Sequence, residues 1–202
     1  MVENLKSNKV FKFARYGDGE IYCMKGKHGG NCDNHSYFPD LGSALRQSVV
    51  EEPEYMVGIQ PLSVSHIPED VNNYFGHFTT LYNADVLHNA SISGRLQDFE
   101  NALSGRYVVL VGPVNLANLF ENCVHIVIPE LNCWLEFEHI RQQIAFHIEG
   151  INNAVVILCA GMMSEVVIDV FDDYPHTFID AGSVFDPYCN VKSRKYHYKL
   201  KI

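Results

Sequence analysis

A charged, glycine-containing segment near the start of the chain carries the strongest chemical signal. Residues 13–20 read Phe-Ala-Arg-Tyr-Gly-Asp-Gly-Glu. Asp18 and Glu20 are two residues apart, so in a turn both carboxylates could face one hard cation. Arg15 offers a planar fork that suits phosphate, and Gly17 lets the backbone approach a ligand closely. The segment predicts a site for a nucleotide and a metal ion, although Asp-Gly also occurs in ordinary turns.

Two apolar runs further along the chain end in glycine and lead into helix-like segments. Tyr107–Val111 precedes Gly112 and Pro113, and Ala154–Cys159 precedes Gly161. In open α/β sheets, ligands bind beyond the carboxyl ends of the strands, where the backbone N–H groups of such turns are available. A tight turn without a ligand would explain either glycine alone. Neither turn matches the dinucleotide-binding or P-loop pattern, so both of those site classes are disfavoured.

Polar residues follow two other predicted strands. Asn132 comes after Val127-Ile-Pro-Glu-Leu and is a plausible N-cap for the next helix, as well as a candidate nucleotide contact. Asp180 and Asp186 follow the last apolar run, where a rigid sheet could position them as ligands or bases. Alternatively, Asp180 only caps a turn. Gly182 and Ser183 lie between the two acids and are further candidate nucleotide contacts.

Residues 26–40 are rich in Gly, Asn, Asp and His, and this composition predicts a long, mobile loop. Cys23, His28, Cys32 and His35 have a spacing that would permit a small zinc site. Structural zinc sites favour tighter CxxC pairs, so this pattern is a weak one. We favour the alternative, in which His28 or His35 lies over a bound ligand.

Residues 190–202 form a basic, aromatic tail. Its cations are Lys192, Arg194, Lys195, Lys199 and Lys201. Such a tail could cover a phosphate, contact an acidic acceptor, or be a solvated terminal strand. Arg194 follows the Asp180–Asp186 segment closely, and we therefore include it among the candidate nucleotide contacts.

Apolar, β-branched runs alternate with amphipathic segments, and these elements must position the candidate residues. The strand-like runs are Val10–Ala14, Tyr55–Ile59, Tyr107–Val111, Val124–Ile128, Ala154–Cys159 and Thr177–Ile179. The helix-like segments are Leu41–Val50, Glu69–Phe78, Ile92–Leu103, Leu116–Phe120, Trp134–Ile148 and Ser164–Phe171. This alternation predicts an α/β fold of βα units around a mostly parallel sheet.

Composition narrows the class of protein. The chain has 202 residues, of which 47% are hydrophobic and 19% charged, and no Pro/Ser-rich linker divides it, so we expect one domain over residues 1–202. The net charge of −9 argues against a broad nucleic-acid footprint. No apolar run approaches the ~20 residues of a membrane span. The N-terminus lacks a signal-peptide core and the six cysteines are scattered, so we expect a cytoplasmic protein with reduced thiols.

Together, these motifs resemble those of the GT-D glycosyltransferases, a family formerly described as a domain of unknown function. The match consists of the Arg15-Tyr-Gly-Asp-Gly-Glu20 segment, which is similar to the family's Arg-Phe-Gly-Asp-Gly-Glu signature, followed in order by the other motifs up to Arg194. The resemblance implies a Rossmann-like α/β domain with helices on both faces of the sheet. It also implies a nucleotide-sugar donor, typically a UDP-sugar, and a divalent cation, Mn²⁺ or Mg²⁺, held by Asp18 and Glu20.

The chain departs from the family pattern at two places. Tyr16 stands where phenylalanine is usual. Ser183 stands where some members carry a histidine that can reach the metal, so Asp186 or water would have to supply a third ligand. The resemblance implies transfer to a glycan or glycoprotein, with Arg15 sharing the phosphate charge and Asp186 or Asp180 as candidate catalytic bases.

Three alternative functions remain open from the sequence. The same transfer could be made onto a modified DNA base, an option that the basic tail supports and the acidic composition opposes. A metal-dependent nucleotide phosphohydrolase would use the same carboxylates. A non-catalytic nucleotide-binding module would bind the ligand without turnover.

Overall fold

Seven parallel strands form one sheet in the computed structural model, which describes residues 1–200 apart from the side chains of Tyr196 and Lys199. The strands are β1 (Lys12–Tyr16), β2 (Met56–Ile59), β3 (Tyr82–Asn83), β4 (Val108–Gly112), β5 (Val124–Val127), β6 (Val155–Leu158) and β7 (Thr177–Asp180). Their order across the sheet is β3-β2-β1-β7-β6-β4-β5. The predicted parallel α/β sheet is confirmed.

Helices connect these strands. They are α1 (Val2–Lys6), α2 (Asp18–Met24), α3 (Pro39–Gln47), α4 (Pro61–His66), α5 (Pro68–Phe75), α6 (Val86–Ile92), α7 (Leu96–Ala102), α8 (Phe137–Ile148) and α9 (Ser164–Val170). Short 3-10 helices cover Val114–Leu116, Cys133–Glu136, Gly161–Met163, Asp186–Cys189 and Lys195–Lys199. Within residues 1–200, no helix is both long enough and apolar enough to cross a membrane.

The sheet separates two hydrophobic clusters. Val109 and Val111 of β4 belong to one cluster, which includes apolar residues of α2, α3, α8 and α9. Val108 and Leu110 of the same strand belong to the other, which includes residues of α1 and α7. Successive side chains of a strand point to opposite faces, so this alternation shows that both faces are covered. The expectation of helices on both faces is confirmed.

The register of the central strands brings distant segments to one edge. Arg15 of β1 is opposite Gly58 of β2, and Leu158 of β6 is opposite Asp180 of β7. Because all the strands are parallel, their carboxyl ends meet at the same edge of the sheet. The turns that follow β1, β4, β6 and β7 therefore converge there.

Some predicted elements differ from the observed ones. The predicted turn after β1 is the start of α2, and the predicted helix Leu116–Phe120 is only a three-residue 3-10 turn. The single helix expected over Ile92–Leu103 is interrupted at Gly94, whose φ of +70° ends α6. The two-residue strand β3 was not predicted because so short a strand has no detectable period.

Candidate active site at the carboxyl ends of the strands

Two cavities adjoin each other at the edge of the sheet where the strands end. The smaller has a volume of about 130 Å³ and the larger about 530 Å³. The residues that line both are Cys32, Asp33, Gly161, Gly182, Ser183 and Arg194. The two cavities therefore share a wall, which is built from the turns after β6 and β7, the loop 26–40 and the C-terminal segment.

Arg15 is held rigidly against the smaller cavity. It is the second-last residue of β1 and only 7% exposed. Its Nε donates a hydrogen bond of 2.7 Å to the carbonyl oxygen of Ala84, and its Nη1 lies 4.0 Å from Oδ1 of Asp180. The pairing of β1 with β7 brings these two side chains together. The fixed guanidinium plane leaves Arg15 oriented for an anionic ligand.

The turn after β7 requires glycine. Gly182 has φ +54°, in the left-handed region that glycine adopts at least cost. Its N–H donates a hydrogen bond of 2.9 Å to Oδ1 of Asp180. A Cβ atom at this position would overlap Nη1 of Arg15. Gly182 therefore allows the backbone to pack directly against the guanidinium.

Asp18 and Glu20 lie in the first turn of α2 and not in an open turn. Glu20 Oε2 accepts a hydrogen bond of 2.7 Å from the N–H of Gly17, which helps to start the helix. Residues two apart on a helix point to different sides, and accordingly Asp18 is exposed while Glu20 is half-buried. Gly17 and both acids nevertheless line the smaller cavity.

Glu165 is a carboxyl group in the smaller cavity that the sequence interpretation missed. It lies at the second position of α9 and is 1% exposed. Its Oε2 is buried, and no group in residues 1–200 meets hydrogen-bond geometry with that atom. The carboxyl of Asp180 is close enough to share a hydrogen bond with Glu165. The sequence feature that could have pointed to Glu165 is its position as a single acidic residue within the mostly apolar run Met162–Ile168.

Burial controls the protonation of Asp180 and Glu165. It raises the pKa of Asp180 to about 6, and the charge of Arg15 and the Gly182 N–H oppose the increase. Burial also raises the pKa of Glu165 well above its usual value, and the negative charges of Glu20 and Asp180 add to the effect. A hydrogen bond between two carboxyl groups requires a proton, so the Glu165–Asp180 pair holds one in mildly acidic solution.

The larger cavity has a more apolar wall. Its apolar lining includes Pro113, Val114, Val127, Ile128 and Leu131. Asp186 lines the same cavity but not the smaller one, and its Oδ2 accepts a hydrogen bond from Ser193 Oγ. Burial raises the pKa of Asp186. Apolar walls with a few fixed polar groups are typical of sites for small organic ligands.

His35 places an N–H group beside the shared wall. Its Nδ1 accepts a hydrogen bond of 3.2 Å from the N–H of Asn132, so in the neutral ring the proton is assigned to Nε2. Burial lowers the pKa of His35, which favours the neutral form. A Cβ atom on Gly161 would lie 3.6 Å from Nε2. His35 lines the larger cavity, and its position over a bound ligand stays a prediction.

Gly112 and Asn132, both predicted nucleotide contacts, line neither of the two cavities. A Cβ on Gly112 would lie 2.7 Å from Cδ1 of Leu116, so this glycine permits tight packing beneath the turn. Asn132 occupies the predicted cap position, with φ +56°, but its side chain does not cap the 3-10 helix. Its Oδ1 instead accepts a hydrogen bond of 2.8 Å from the N–H of Ser36. Asn132 therefore supports the loop 26–40.

The loop 26–40 and the basic tail meet at the shared wall. The guanidinium of Arg194 forms a two-pronged ion pair with the carboxylate of Asp33. The predicted nucleotide contact at Arg194 is thus already engaged by an acid of the loop. Lys201 of the predicted tail lies outside the described residues, as do the side chains of Tyr196 and Lys199.

The four residues of the possible zinc site are not brought together. Cys23 is buried in the core, with its Sγ 3.7 Å from the carbonyl oxygen of Phe38, whereas Cys32 is exposed. In the described part of the chain, no three His, Cys, Asp or Glu side chains are arranged to hold a metal ion. For the same reason, Asp186 does not join Asp18 and Glu20 as a third ligand.

The two departures from the family pattern have different structural settings. Tyr16 is fully buried, and its hydroxyl forms a 2.9 Å hydrogen bond with Ser48 Oγ in the core, away from the cavities. Ser183 lies in the shared wall, and its buried Oγ has no hydrogen-bond partner among residues 1–200. Only the second departure can alter ligand binding directly.

Comparison with solved structures relates this architecture to known proteins. No family model and no curated protein matches the chain. A structure described as a new glycosyltransferase (DUF1792) from Streptococcus sanguinis superposes with a TM-score of 0.74 at 16% identity, covering 93% of this chain and 80% of the other.

Two further structures give the same picture. One is described as a selenomethionine-substituted domain of unknown function 1792, and the other as that domain with a distinct glycosyltransferase fold. Each superposes with a TM-score of 0.70 at 15% identity, covering 93% of this chain and 77% of the other. At this level of identity the likeness is one of fold, and the chain has the glycosyltransferase fold of the DUF1792 structures.

Proposed function

We propose that the protein is a glycosyltransferase that moves a sugar from a nucleotide-sugar, with a UDP-sugar as the expected donor, to a hydroxyl acceptor. One observation carries this proposal. Arg15, Asp18 and Glu20 from the start of the chain meet Asp180 and Gly182 from its end at one cavity, on a glycosyltransferase fold. This convergence supplies a phosphate partner and carboxylates at the sheet edge where α/β proteins bind ligands.

A divalent cation fits the donor set of the smaller cavity. Asp18 and Glu20 offer carboxylate oxygens, which Mg²⁺ and Mn²⁺ prefer. Mg²⁺ commonly takes only one or two carboxylates and completes its shell with phosphate oxygens and water. A bound cation would neutralise the charge that builds up on the departing nucleoside diphosphate.

The remaining groups suit the nucleotide. Arg15 can share the diphosphate charge, and the hydroxyl of Ser183, which has no hydrogen-bond partner among residues 1–200, can donate to a phosphate oxygen. His35 Nε2 and the backbone near Gly161 offer further donors at the shared wall. The apolar wall of the larger cavity suits the flat ring of a base. We therefore infer that the diphosphate spans the shared wall.

Two acids are candidates for the base that takes the proton of the acceptor hydroxyl. Asp180 has a pKa raised to about 6, close to the pH at which a general base works best. Asp186 lies in the larger cavity and accepts a hydrogen bond from Ser193. Asp180 is the better candidate of the two, because it lies beside the carboxylates that would hold the cation.

A glycan or glycoprotein is the acceptor that we propose. The net charge of −9 opposes binding to the DNA backbone, so a modified DNA base is the weaker choice. Deleting residues 192–202 should weaken acceptor binding more than donor binding if the basic tail contacts an acidic acceptor. An equal loss of both would exclude that role.

The proposed activity can be tested with UDP-, GDP-, CMP- and ADP-sugars in Mn²⁺ or EDTA, with glycan acceptors and with DNA. We expect Mn²⁺-dependent release of the nucleotide together with a mass gain of one sugar on the glycan. Release of inorganic phosphate or sugar phosphate without transfer would instead indicate the phosphohydrolase. Binding of the nucleotide with no turnover on any acceptor would indicate a non-catalytic module.

A further inference from the structure

An ion pair bridges the junction of the two cavities. The guanidinium of Arg194, in the C-terminal segment, donates two hydrogen bonds to the carboxylate of Asp33, in the loop 26–40. Both residues line the smaller cavity and the larger one. The pair therefore lies at the shared wall, where we place the diphosphate of a nucleotide.

Arg194 differs from the other arginine at the cavities in how firmly it is held. Among the described residues, those that line either cavity include no lysine and two arginines, Arg15 and Arg194. Arg15 is 7% exposed and is fixed by the carbonyl of Ala84 and by Asp180. The side chain of Arg194 is 30% exposed and pairs with Asp33. Arg194 is therefore the guanidinium that can more easily change partners.

The carboxylate of Asp33 presents to Arg194 the same face that a phosphate would present. Carboxylates and phosphates each offer two oxygens that accept parallel N–H bonds from the guanidinium fork. A partly exposed ion pair costs little to break. The side chain of Asp33 is 25% exposed, so its carboxylate would have access to water once the pair had opened.

The backbone on both sides of the pair is anchored, so only two side chains need to move. The N–H of Ser36 donates a hydrogen bond of 2.8 Å to Oδ1 of Asn132, which holds the loop. The N–H of Arg194 donates a hydrogen bond of 3.1 Å to Nδ1 of His197, a fully buried residue of the C-terminal segment. An exchange of partners at Arg194 therefore requires no rearrangement of the fold.

We propose that Asp33 is an internal competitor of the ligand: its carboxylate occupies Arg194 in the empty site, and the diphosphate of a nucleotide displaces it. This inference rests on the proposed function, because that function supplies the diphosphate. The ion pair is then an autoinhibitory contact that lowers the affinity for the nucleotide. Arg194 becomes a phosphate partner only after the exchange.

The test is a double-mutant cycle measured by calorimetric titration with UDP in Mn²⁺. Asp33→Asn removes the charge of the competitor and one of its two acceptor oxygens, so we expect UDP to bind about three- to fivefold more tightly than to the wild type. In the Arg194→Ala background the same substitution should give no gain, because no guanidinium remains to be released.

Glu130→Gln is the matched control for the loss of one negative charge near the site. Glu130 is exposed and lines the larger cavity, and it forms no ion pair with the described side chains. Its replacement therefore frees no arginine. Any gain in UDP affinity from Glu130→Gln should be the same with and without Arg194.

Three outcomes would overturn the proposal while the nucleotide site stands. The first is a gain from Asp33→Asn that persists in Arg194→Ala, which would be a general effect of charge. The others are an unchanged affinity for UDP and a weakened one, which would indicate a pair that stays closed when the ligand binds. If Asp33→Asn does not fold, Asp33→Ala removes both oxygens and should give the same gain. If neither the wild type nor any variant binds UDP, the proposed nucleotide site fails together with this inference.

Discussion

Two pairs of carboxyl groups line the smaller cavity, and they differ in burial and in origin. Asp18 is exposed and Glu20 half-buried, and both come from the first turn of α2. Asp180 and Glu165 are 4% and 1% exposed and come from β7 and α9. The first pair is separated by a single residue in the sequence, whereas the second pair comes from β7 and from α9, the helix that follows the neighbouring strand β6.

The difference in burial implies a difference in chemistry. Asp18 lies near solvent and can exchange water for a cation, whereas burial raises the pKa of Glu20, an effect that a bound cation would oppose. Two buried carboxyl groups in contact cannot both ionise, so they retain a proton and interact with neutral groups. We therefore assign the cation to Asp18 and Glu20, and the retained proton to the pair of Asp180 and Glu165. The predictions below test this division, beginning with the largest effect.

Asp18→Asn should abolish the proposed transfer. Loss of a ligand from the cation removes stabilisation of several kcal/mol from the departing diphosphate, so we expect the rate to fall about 1,000-fold or more in saturating donor. Product formation in Mn²⁺ is the measurement. The control Asp98→Asn removes another exposed acid from a helical first turn, outside both cavities, and should retain full activity. Full activity of Asp18→Asn would refute the cation assignment.

Asp180→Asn should stabilise the protein in a pH-dependent way. The pKa of Asp180 is raised from 3.8 to about 6 on folding, so between these values the folded protein holds a proton that the unfolded chain releases. The free energy of unfolding of the wild type therefore falls as pH rises from about 4 to 6, and the amide, which mimics the protonated acid, avoids this loss.

The pH effect can be measured by urea unfolding in EDTA at pH 4 and pH 7. The stability of Asp180→Asn relative to the wild type should increase between these pH values by on the order of 2–3 kcal/mol. Asp98→Asn is the control for the effect of replacing an exposed aspartate by asparagine. A relative stability of Asp180→Asn that is independent of pH would contradict the buried, protonated pair.

Gly182→Ala should displace the side chain of Arg15, which lies beside the buried carboxyl groups of Asp180 and Glu165. The added Cβ would displace the guanidinium of Arg15, so we expect nucleotide affinity to fall about tenfold. Gly105→Ala is a matched control, because Gly105 also has a left-handed φ, +76°, with no atom within 4 Å of the added Cβ. Backbone strain should cost each variant about 1–2 kcal/mol of stability, and Gly182→Ala should lose more because it also displaces a buried guanidinium. Equal nucleotide binding by the two variants would contradict the role of Gly182.

Arg194→Ala should have the smallest effect on stability. Its ion pair with Asp33 is partly exposed, with side-chain exposures of 30% and 25%, so we expect a loss of about 1 kcal/mol or less by urea unfolding. Lys25→Ala, which breaks the pair with Asp70, serves as a comparison. A loss several times larger for Arg194→Ala would show that this pair fastens the loop 26–40 to the core.

The sequence predicted the fold class well because the signals were local. Short β-branched runs in the sequence predicted buried strands such as β4 and β6, and the glycines in the turns after them indicated where the strands end. The pairing order did not follow from the sequence, since β7 inserts between β1 and β6 through long-range contacts. The start of α2 was misread because Gly-Asp-Gly-Glu is equally typical of a turn.

The candidate site was predicted only in part, and for the same reason. Arg15, Asp18 and Glu20 stand together in the sequence and together at the cavity. Glu165 was not predicted, because only the fold shows that α9 places this carboxyl group next to Asp180. The nucleotide contact at Gly112 stays a prediction, because a glycine needed for packing and a glycine needed for binding look alike in a sequence and the structure shows only its close packing against Leu116.

Binding of nucleotides tests the central claim most directly. Calorimetric titration of UDP, GDP, CMP and ADP into the wild-type protein, first with Mn²⁺ and then with EDTA, measures whether the two cavities hold a nucleotide and a cation together. The account predicts that one nucleotide, expected to be UDP, binds with Mn²⁺ and loses most of its affinity in EDTA. Binding of none of the four, or equal binding in EDTA, would contradict the cation site at Asp18 and Glu20.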